Sequence, residues 1–128
     1  MNDNAKQWIR ALKSGEYLQG SGRLCNGLRY CCLGVACELA AKAGVVERHT
    51  VGNDYDVVYW DEKERENEAH YLPESVRAWL NLGYFDGGVI ADNADESQSL
   101  VARNDRGDSF AAIAQLLETD PYLFFLPE

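Results

Sequence analysis

Residues 31–44, CCLGVACELAAKAG, decide the fold, because small and apolar residues repeat there at the three- and four-residue spacing of an α-helix. Gly44 ends the pattern, and glycine readily adopts the left-handed conformation found just after many helices. The stretch predicts a helix over residues 31–43 that forms the central and most buried element. The apolar face of that helix comprises Cys32, Ala36, Leu39, Ala40 and Ala43.

A second amphipathic helix precedes this cysteine helix. The pattern predicts it over residues 4–14, with an N-cap among residues 2–4 and Gly15 as its stop. Between the two helices, glycines interrupt a polar stretch over residues 15–27, which predicts short strands or a hairpin joined by turns. The apolar stripe of the first helix comprises Ala5, Trp8, Ile9 and Leu12.

The segment after the cysteine helix alternates between strand and helix patterns. Residues 45–51 and 55–60 are rich in β-branched and aromatic types, which predicts a pair of strands. An exposed, charged connection over residues 61–69 follows them. Proline is tolerated in the first turn of a helix, so Pro73 and the apolar spacing behind it predict a helix over residues 73–81.

The last third of the chain completes an α+β pattern. Residues 87–91 predict a short strand, and residues 97–103 predict a short helix. A final helix is predicted to begin at an N-cap formed by Asp108 or Ser109 and to end at Asp120. The apolar tail at 122–126 either docks on the domain or lies in a partner interface. The chain is thus expected to be a single compact α+β domain over residues 1–128. Four to five helices surround the central cysteine-bearing helix, with a small antiparallel sheet.

Acidic residues are concentrated in the middle of the chain. The net charge of the 128 residues is −9, and residues 47–96 alone contain 13 acidic and 4 basic side chains. Such a region repels a phosphate backbone, so direct nucleic-acid binding is not expected, whereas a basic protein partner suits it. Residues 92–96 lack the glycine and glutamate of a calcium loop and are predicted to be solvated surface. The carboxylates predicted to meet a partner are Asp54, Asp56, Asp61, Glu62, Glu64, Glu66 and Glu68.

The four cysteines are expected to be free thiols in a cytoplasmic protein. The N-terminus has no export signal, and no apolar run approaches the roughly 20 residues that cross a bilayer. A zinc site is not expected. Cys32 and Cys37 lie five positions apart and so face different sides of a helix, and the sequence offers no second pair of ligands at zinc spacing. No metal, cofactor or membrane association is therefore expected.

Two sets of residues carry candidate chemistry. Cys31 or Cys32 stands at a helix start, where backbone N–H groups lower a thiol pKa, and a hydrolase would take His49 or His70 as its base. Core packing of the cysteines is the competing interpretation. The glycine-rich segment at residues 19–23 is the other candidate, since backbone amides there can approach an anion. A nucleotide-like small molecule would then be held by Arg23, Arg29 and Cys31.

Much of the chain resembles an uncharacterised family of small bacteriophage and bacterial proteins. The blocks that carry the resemblance are Trp8, residues 12–17, Gln19, Gly22, Leu24, the YCCLGVAC block at 30–37, residues 72–73, Val76, Trp79, Leu82 and parts of residues 104–114. The resemblance implies no known activity. It implies an accessory product made in an infected bacterium, a class that often disables a host enzyme or an immune system by binding.

Three functional hypotheses follow. The first is a non-enzymatic, phage-type protein that binds and inhibits a basic host or anti-phage defence protein through its acidic region. The second is a small-ligand binder that sequesters a nucleotide signal. The third is a cysteine-dependent hydrolase that uses Cys31 or Cys32 with a histidine.

Overall fold

The computed structural model describes residues 1–51, 56–61 and 70–128 of the chain. Within those ranges it is a compact α+β fold with five α-helices, two short 3-10 helices and one two-stranded antiparallel sheet. None of these helices is long and apolar enough to span a bilayer. The elements are α1 (Asp3–Lys13), α2 (Cys32–Lys42), β1 (Glu47–Val51), β2 (Asp56–Trp60), α3 (Glu74–Leu80), α4 (Leu100–Asp105) and α5 (Phe110–Thr119), with 3-10 helices at Glu96–Gln98 and Pro121–Leu123.

The cysteine helix α2 is the centre of the fold, as its sequence predicts. Every residue from Cys32 to Cys37 is buried, and α2 contacts α1, α3, α4 and β1. At Gly34 the helix lies so close to the preceding loop that an added Cβ would collide with the carbonyl oxygen of Leu24. All four cysteines are buried free thiols.

Helix α1 packs against α2 and α5 through its predicted stripe. The Asn2 side chain caps it by accepting a hydrogen bond from the Ala5 N–H at 2.8 Å, and Gly15 follows it at φ +76°. Trp8 is fully buried, and its indole Nε1 donates to the Cys32 carbonyl at 2.8 Å. This bond satisfies the one polar atom of a large core side chain and fixes α1 against the start of α2.

The strands predicted between α1 and α2 are absent from that described segment, and this prediction was wrong. Instead, Tyr30 forms isolated bridges to Gln19 and Cys25, and Gly22 and Gly27 adopt positive φ angles. The segment therefore folds as irregular loops. Side chains from elsewhere tie these loops down, since the Asn104 Nδ2 donates to the Gly20 carbonyl at 2.7 Å.

The predicted pair of strands is confirmed: β1 and β2 are antiparallel, with register from Glu47 opposite Trp60 to Val51 opposite Asp56. One carboxylate of α2 attaches these strands to the core. Oxygen Oε2 of Glu38 accepts from the Tyr59 hydroxyl and from Arg48 Nε, each at 3.0 Å. Because Tyr59 is fully buried, this bond also satisfies its hydroxyl group.

The C-terminal half departs from the sequence prediction at two places. Residues 87–91 form no strand, because Gly87 adopts a φ of +67° and the Ile90 N–H donates to the Leu123 carbonyl at 2.7 Å rather than to a neighbouring strand. The helix predicted over 97–103 is divided, because Ser99 ends the first 3-10 helix and its Oγ then caps α4. Helix α5 begins at its predicted cap, Ser109.

The apolar tail docks in part on its own chain. Phe124 and Phe125 are buried, and the Phe124 carbonyl accepts a hydrogen bond from the Gly83 N–H at 2.9 Å. Tyr122, by contrast, is 71% exposed. The two phenylalanines therefore complete the core, while the tyrosine belongs to the surface.

Candidate functional site

A small cavity, which we call the end pocket, brings together three of the predicted site residues. Its volume is about 180 Å³, and Arg23, Cys31 and His70 all contribute to its wall. Cys32 points instead into the core, where its Sγ donates a weak hydrogen bond to the Leu100 carbonyl at 3.7 Å. The complete lining is Gly22, Arg23, Cys31, His70, Tyr71, Val101 and Asp105.

Gly22 connects the two sides of the end pocket. Its N–H donates to Oδ1 of Asp105 at 2.9 Å, and its carbonyl lies 2.9 Å from Nδ1 of His70. Because a carbonyl oxygen can only accept, Nδ1 of His70 is the donor in this bond. The loop that contains Arg23 is thus held between α4 and His70.

The pKa of Cys31 is shifted in the direction opposite to the lowering that a helix start alone would cause. Cys31 is the N-cap of α2, and its Sγ accepts from the Gly34 N–H at 3.3 Å. Burial raises the pKa of Cys31 to about 11, and this effect exceeds the opposing effect of the backbone N–H groups. Burial likewise raises the pKa of Cys32. The predicted lowering of these pKa values was therefore wrong in direction, because desolvation outweighs the helix end.

The remaining predicted residues lie apart from the end pocket. His49 is on β1, where its ring stacks on Trp60 at 3.8 Å with an interplanar angle of 6°. Nη1 of Arg29 donates to the Gln19 carbonyl at 3.1 Å, so the predicted nucleotide-binding set of Arg23, Arg29 and Cys31 is only partly assembled.

The predicted partner-binding carboxylates are only partly described. Asp56 begins β2, and Asp61 follows its end in a half-buried position. The others, Asp54, Glu62, Glu64, Glu66 and Glu68, lie outside the described residues.

A larger cavity of about 660 Å³, which we call the cleft, adjoins the end pocket. The two share Tyr71, Val101 and Asp105, so they form one continuous depression. Three aromatic rings line the cleft with about half of their surface uncovered: Tyr71 is 49% exposed, Tyr84 50% and Phe85 50%. The complete lining is Tyr71, Tyr84, Phe85, Asp86, Glu96, Ser97, Ser99, Val101, Ala102 and Asp105.

Backbone hydrogen bonds hold the aromatic loop of the cleft against α4. The carbonyl of Asp86 accepts from the Val101 N–H at 3.2 Å, and the carbonyl of Gly87 accepts from the Leu100 N–H at 3.0 Å. Gly87 has a φ of +67°, and an added Cβ would lie 2.7 Å from the Leu100 side chain. The loop therefore fits only because this residue is glycine, and it presents Tyr84 and Phe85 from a fixed backbone.

Carboxylates dominate the charge of this depression. A third cavity of about 220 Å³, which we call the acidic pocket, shares Tyr84, Asp86, Glu96 and Ser99 with the cleft and adds Asp95. Among the described residues that line the three cavities there are four carboxylates, one arginine and one histidine. The ion pairs within the described ranges involve none of these four carboxylates, which are Asp86, Asp95, Glu96 and Asp105.

A family model described as Domain of unknown function (DUF8296) matches residues 1–121. The chain belongs to this family. The match includes every residue that lines the end pocket, the cleft and the acidic pocket, so the whole depression lies within the DUF8296 domain. No curated protein and no solved structure matches the chain. Membership confirms the expected place in an uncharacterised family.

The cleft of this DUF8296 protein was missed by sequence reasoning. Its residues come from four short segments, around Tyr71, Tyr84, Glu96 and Asp105, and none of these has a motif. The signal that was present is the cluster of aromatic residues at 84–85 directly before an acidic residue and two glycines, which is unusual for a simple turn. Residues 92–96, predicted to be only solvated surface, contribute Asp95 and Glu96 to the cavity walls.

Proposed function

We propose that this protein is a non-enzymatic binding protein that captures a basic segment of another protein in the cleft. The observation that carries the proposal is the juxtaposition of half-exposed aromatic rings and carboxylates in one preformed cavity. A ring face attracts a cation through its quadrupole, and a carboxylate accepts charge-assisted hydrogen bonds from it. Both groups therefore favour the same kind of ligand.

The charge of the protein favours a protein segment over a nucleic acid, and the size of the cleft is compatible with side chains of such a segment. The cleft volume of about 660 Å³ lies within the roughly 300–1,000 Å³ of small-molecule sites, which suits one or two side chains. The net charge of −9 repels a phosphate backbone and speeds encounter with a basic surface.

The rings and the carboxylates have different roles in this proposal. A ring against a cation contributes about 0.5–2 kcal/mol, whereas an exposed ion pair contributes about 0–1 kcal/mol. We therefore assign most of the affinity to Tyr84 and Phe85. Asp86 and Glu96 make the cleft selective for positively charged ligands and accelerate their association with the protein.

The biological setting of the proposal rests on the resemblance to bacteriophage proteins. Accessory phage products often disable a host or defence protein by binding it, and capture of a basic surface would inhibit the protein that carries it. We accordingly propose inhibition of a host or anti-phage defence protein in the bacterial cytoplasm.

Capture from a bacterial lysate tests the proposal when it is done with matched variants. Bait proteins would be the wild type, a cleft variant Asp86→Asn/Glu96→Gln, and a control variant Glu16→Gln/Asp92→Asn. Both variants lose two negative charges, but Glu16 and Asp92 are exposed outside the three cavities. Asparagine at 86 keeps an acceptor for the Gly88 N–H, which Asp86 binds at 2.8 Å.

The experiment is run at about 0.1 M and about 1 M salt, where the screening length falls from about 10 Å to about 3 Å. We expect a basic protein to be retained at low salt by the wild type and the control, and to be lost at high salt or from the cleft variant. Equal retention by all three baits, or no retained protein, overturns the proposal.

The end pocket supports a second candidate, a small-ligand binder of nucleotide type. Arg23 and Cys31, two of the predicted ligand residues, share its wall with His70. Its volume of about 180 Å³ accommodates a phosphate group, while a base would extend onto the rings of the cleft. The carboxylates oppose an anion, which ranks this candidate second. A thermal-shift screen with a nucleotide panel tests it, because a ligand that binds only the folded state raises the Tm.

A further inference from the structure

We infer that the group captured by the cleft is the guanidinium of an arginine side chain rather than the ammonium of a lysine. The inference rests on the proposed function and specifies the partner chemistry at the same site. Its basis is the combination of planar rings with carboxylates that have no cation of their own among the described residues.

The first argument comes from the rings. A guanidinium is planar, delocalised and weakly hydrated, so it stacks on an aromatic face, whereas an ammonium is a compact and strongly hydrated point charge. Tyr84 and Phe85 are neighbours in sequence, and each is 50% exposed in the cleft. A flat cation covers more of these two rings than a spherical one does.

The second argument comes from the acceptors. Asp86 and Glu96 line both the cleft and the acidic pocket. Asp86 uses Oδ1 for the Gly88 N–H, which leaves Oδ2 for a ligand. A guanidinium has five N–H donors in a fixed planar arrangement, so it can donate to several carboxylates at once. An ammonium has three donors on a single nitrogen atom.

The third argument is the contrast with three carboxylates elsewhere on the described surface. Glu38, Glu74 and Asp108 each already form an ion pair with an arginine of the same chain. The cleft carboxylates are arranged beside aromatic rings but form no such pair within the described residues. An arginine from another molecule would supply Asp86 and Glu96 with the kind of ion pair that Glu38, Glu74 and Asp108 form within the chain.

Titration followed by backbone amide NMR tests the inference on the full chain with three probes. These are N-acetyl-arginine amide, N-acetyl-lysine amide and N-acetyl-citrulline amide, the last being a neutral analogue with nearly the shape of arginine. We expect the arginine probe to shift the amide signals of residues 84–86 and 96–97, with a Kd at least about fivefold below that of the lysine probe. The citrulline probe should leave these signals unchanged.

Two variants make the test specific to the rings. In Tyr84→Leu the preference for arginine over lysine should fall to about twofold or less, whereas Tyr122→Leu, which removes an exposed ring outside the cleft, should keep it. Circular dichroism establishes that both variants are folded.

The outcomes separate this inference from the proposed function. Equal affinity for the arginine and lysine probes overturns the inference but leaves capture of a basic segment intact. If neither probe shifts the cleft signals while the lysate experiment still shows cleft-dependent capture, the inference also fails and the proposed function stands. If the lysate experiment shows no cleft-dependent capture, the proposed function fails on its own terms.

Discussion

Asn104 holds the start of the cysteine helix from 72 positions away in sequence. Its Oδ1 accepts a hydrogen bond from the backbone N–H of Cys32 at 3.0 Å, which satisfies one of the N–H groups left without a partner at the beginning of α2. The same side chain also accepts from Gln19 Nε2 at 3.0 Å and donates to the Gly20 carbonyl at 2.7 Å. One buried amide therefore joins α4, α2 and the loop that reaches the end pocket.

Replacement of Asn104 by alanine should destabilise the protein by about 2–5 kcal/mol. The side chain is 2% exposed, and its loss leaves the Cys32 N–H buried without a partner and removes the hydrogen bond to the carbonyl of half-buried Gly20, at about 1–3 kcal/mol for each group. Urea unfolding measures the change in the free energy of unfolding. Asn93→Ala, at an exposed position, is the control and should change it by less than about 0.5 kcal/mol. Similar stabilities for the two variants would contradict the role assigned to Asn104.

Gly34→Ala should destabilise the protein even though alanine is the better helix former. Helix propensity alone favours alanine by about 1 kcal/mol. However, the added Cβ would collide with the Leu24 carbonyl, a backbone atom that cannot rotate away, and overpacking of this kind costs about 1–3 kcal/mol or more. Because the collision is with a backbone atom, the cost lies at the upper end of this range, and after the propensity gain we expect a net loss of about 2 kcal/mol in urea unfolding. A stabilised Gly34→Ala variant would show that the loop and the helix are not in such close contact.

The buried thiols should be unreactive in the folded protein and should make it less stable at alkaline pH. The pKa of Cys31 is raised from 9.0 to about 11, so the folded state keeps a proton that the unfolded chain has already lost in this range. The contribution of the Cys31 thiol to the free energy of unfolding is therefore fully present below about pH 9 and is lost as the pH rises toward 11. Urea unfolding between these pH values should show a smaller decline for Cys31→Ala than for the wild type.

Thiol labelling provides the complementary measurement. A disulfide reagent at about pH 8 should label none of the four cysteines in the native protein and all of them in denaturant. Rapid labelling of one native thiol would revive the cysteine hydrolase hypothesis, since Cys31 shares the end pocket with His70.

The helices could be predicted because their signals are local. The stripe of α1, the small residues of α2 and the Ser109 cap of α5 each lie within one element, so periodicity and capping are sufficient to find them. Residues 15–27 and 87–91 were misassigned because their partners are distant. Ile90, for example, donates its N–H to the carbonyl of Leu123 in the tail, and no local pattern encodes that contact.

The candidate site was accessible to sequence reasoning only in part, for a related reason. Cys31, Arg23 and His70 were identified by their chemistry, and the structure places them in one pocket. Tyr84 and Phe85 were not identified as site residues, because their exposure depends on how Gly87 packs against Leu100. A surface made of short segments becomes visible only when the fold brings those segments together.

Two glutamates with opposite surroundings give the last prediction. Glu38 accepts hydrogen bonds from Tyr59 and Arg48, whereas Glu96 lies near Asp86 and Asp95 in the acidic pocket with no ion pair among the described residues. Glu38→Gln should destabilise the protein by about 1–3 kcal/mol, because it weakens a charge-assisted bond to Arg48. Glu96→Gln should be neutral or stabilising by up to about 1 kcal/mol, because it removes like-charge repulsion.

Thermal and urea unfolding of the two isosteric variants, at low and high salt, measure this contrast. If Glu96 serves a ligand rather than the fold, its substitution lowers capture of a basic partner without lowering the free energy of unfolding. High salt should narrow the stability difference between the wild type and Glu96→Gln, since it screens the repulsion that the variant removes. A loss of more than about 1 kcal/mol in Glu96→Gln would instead assign this carboxylate to the stability of the fold.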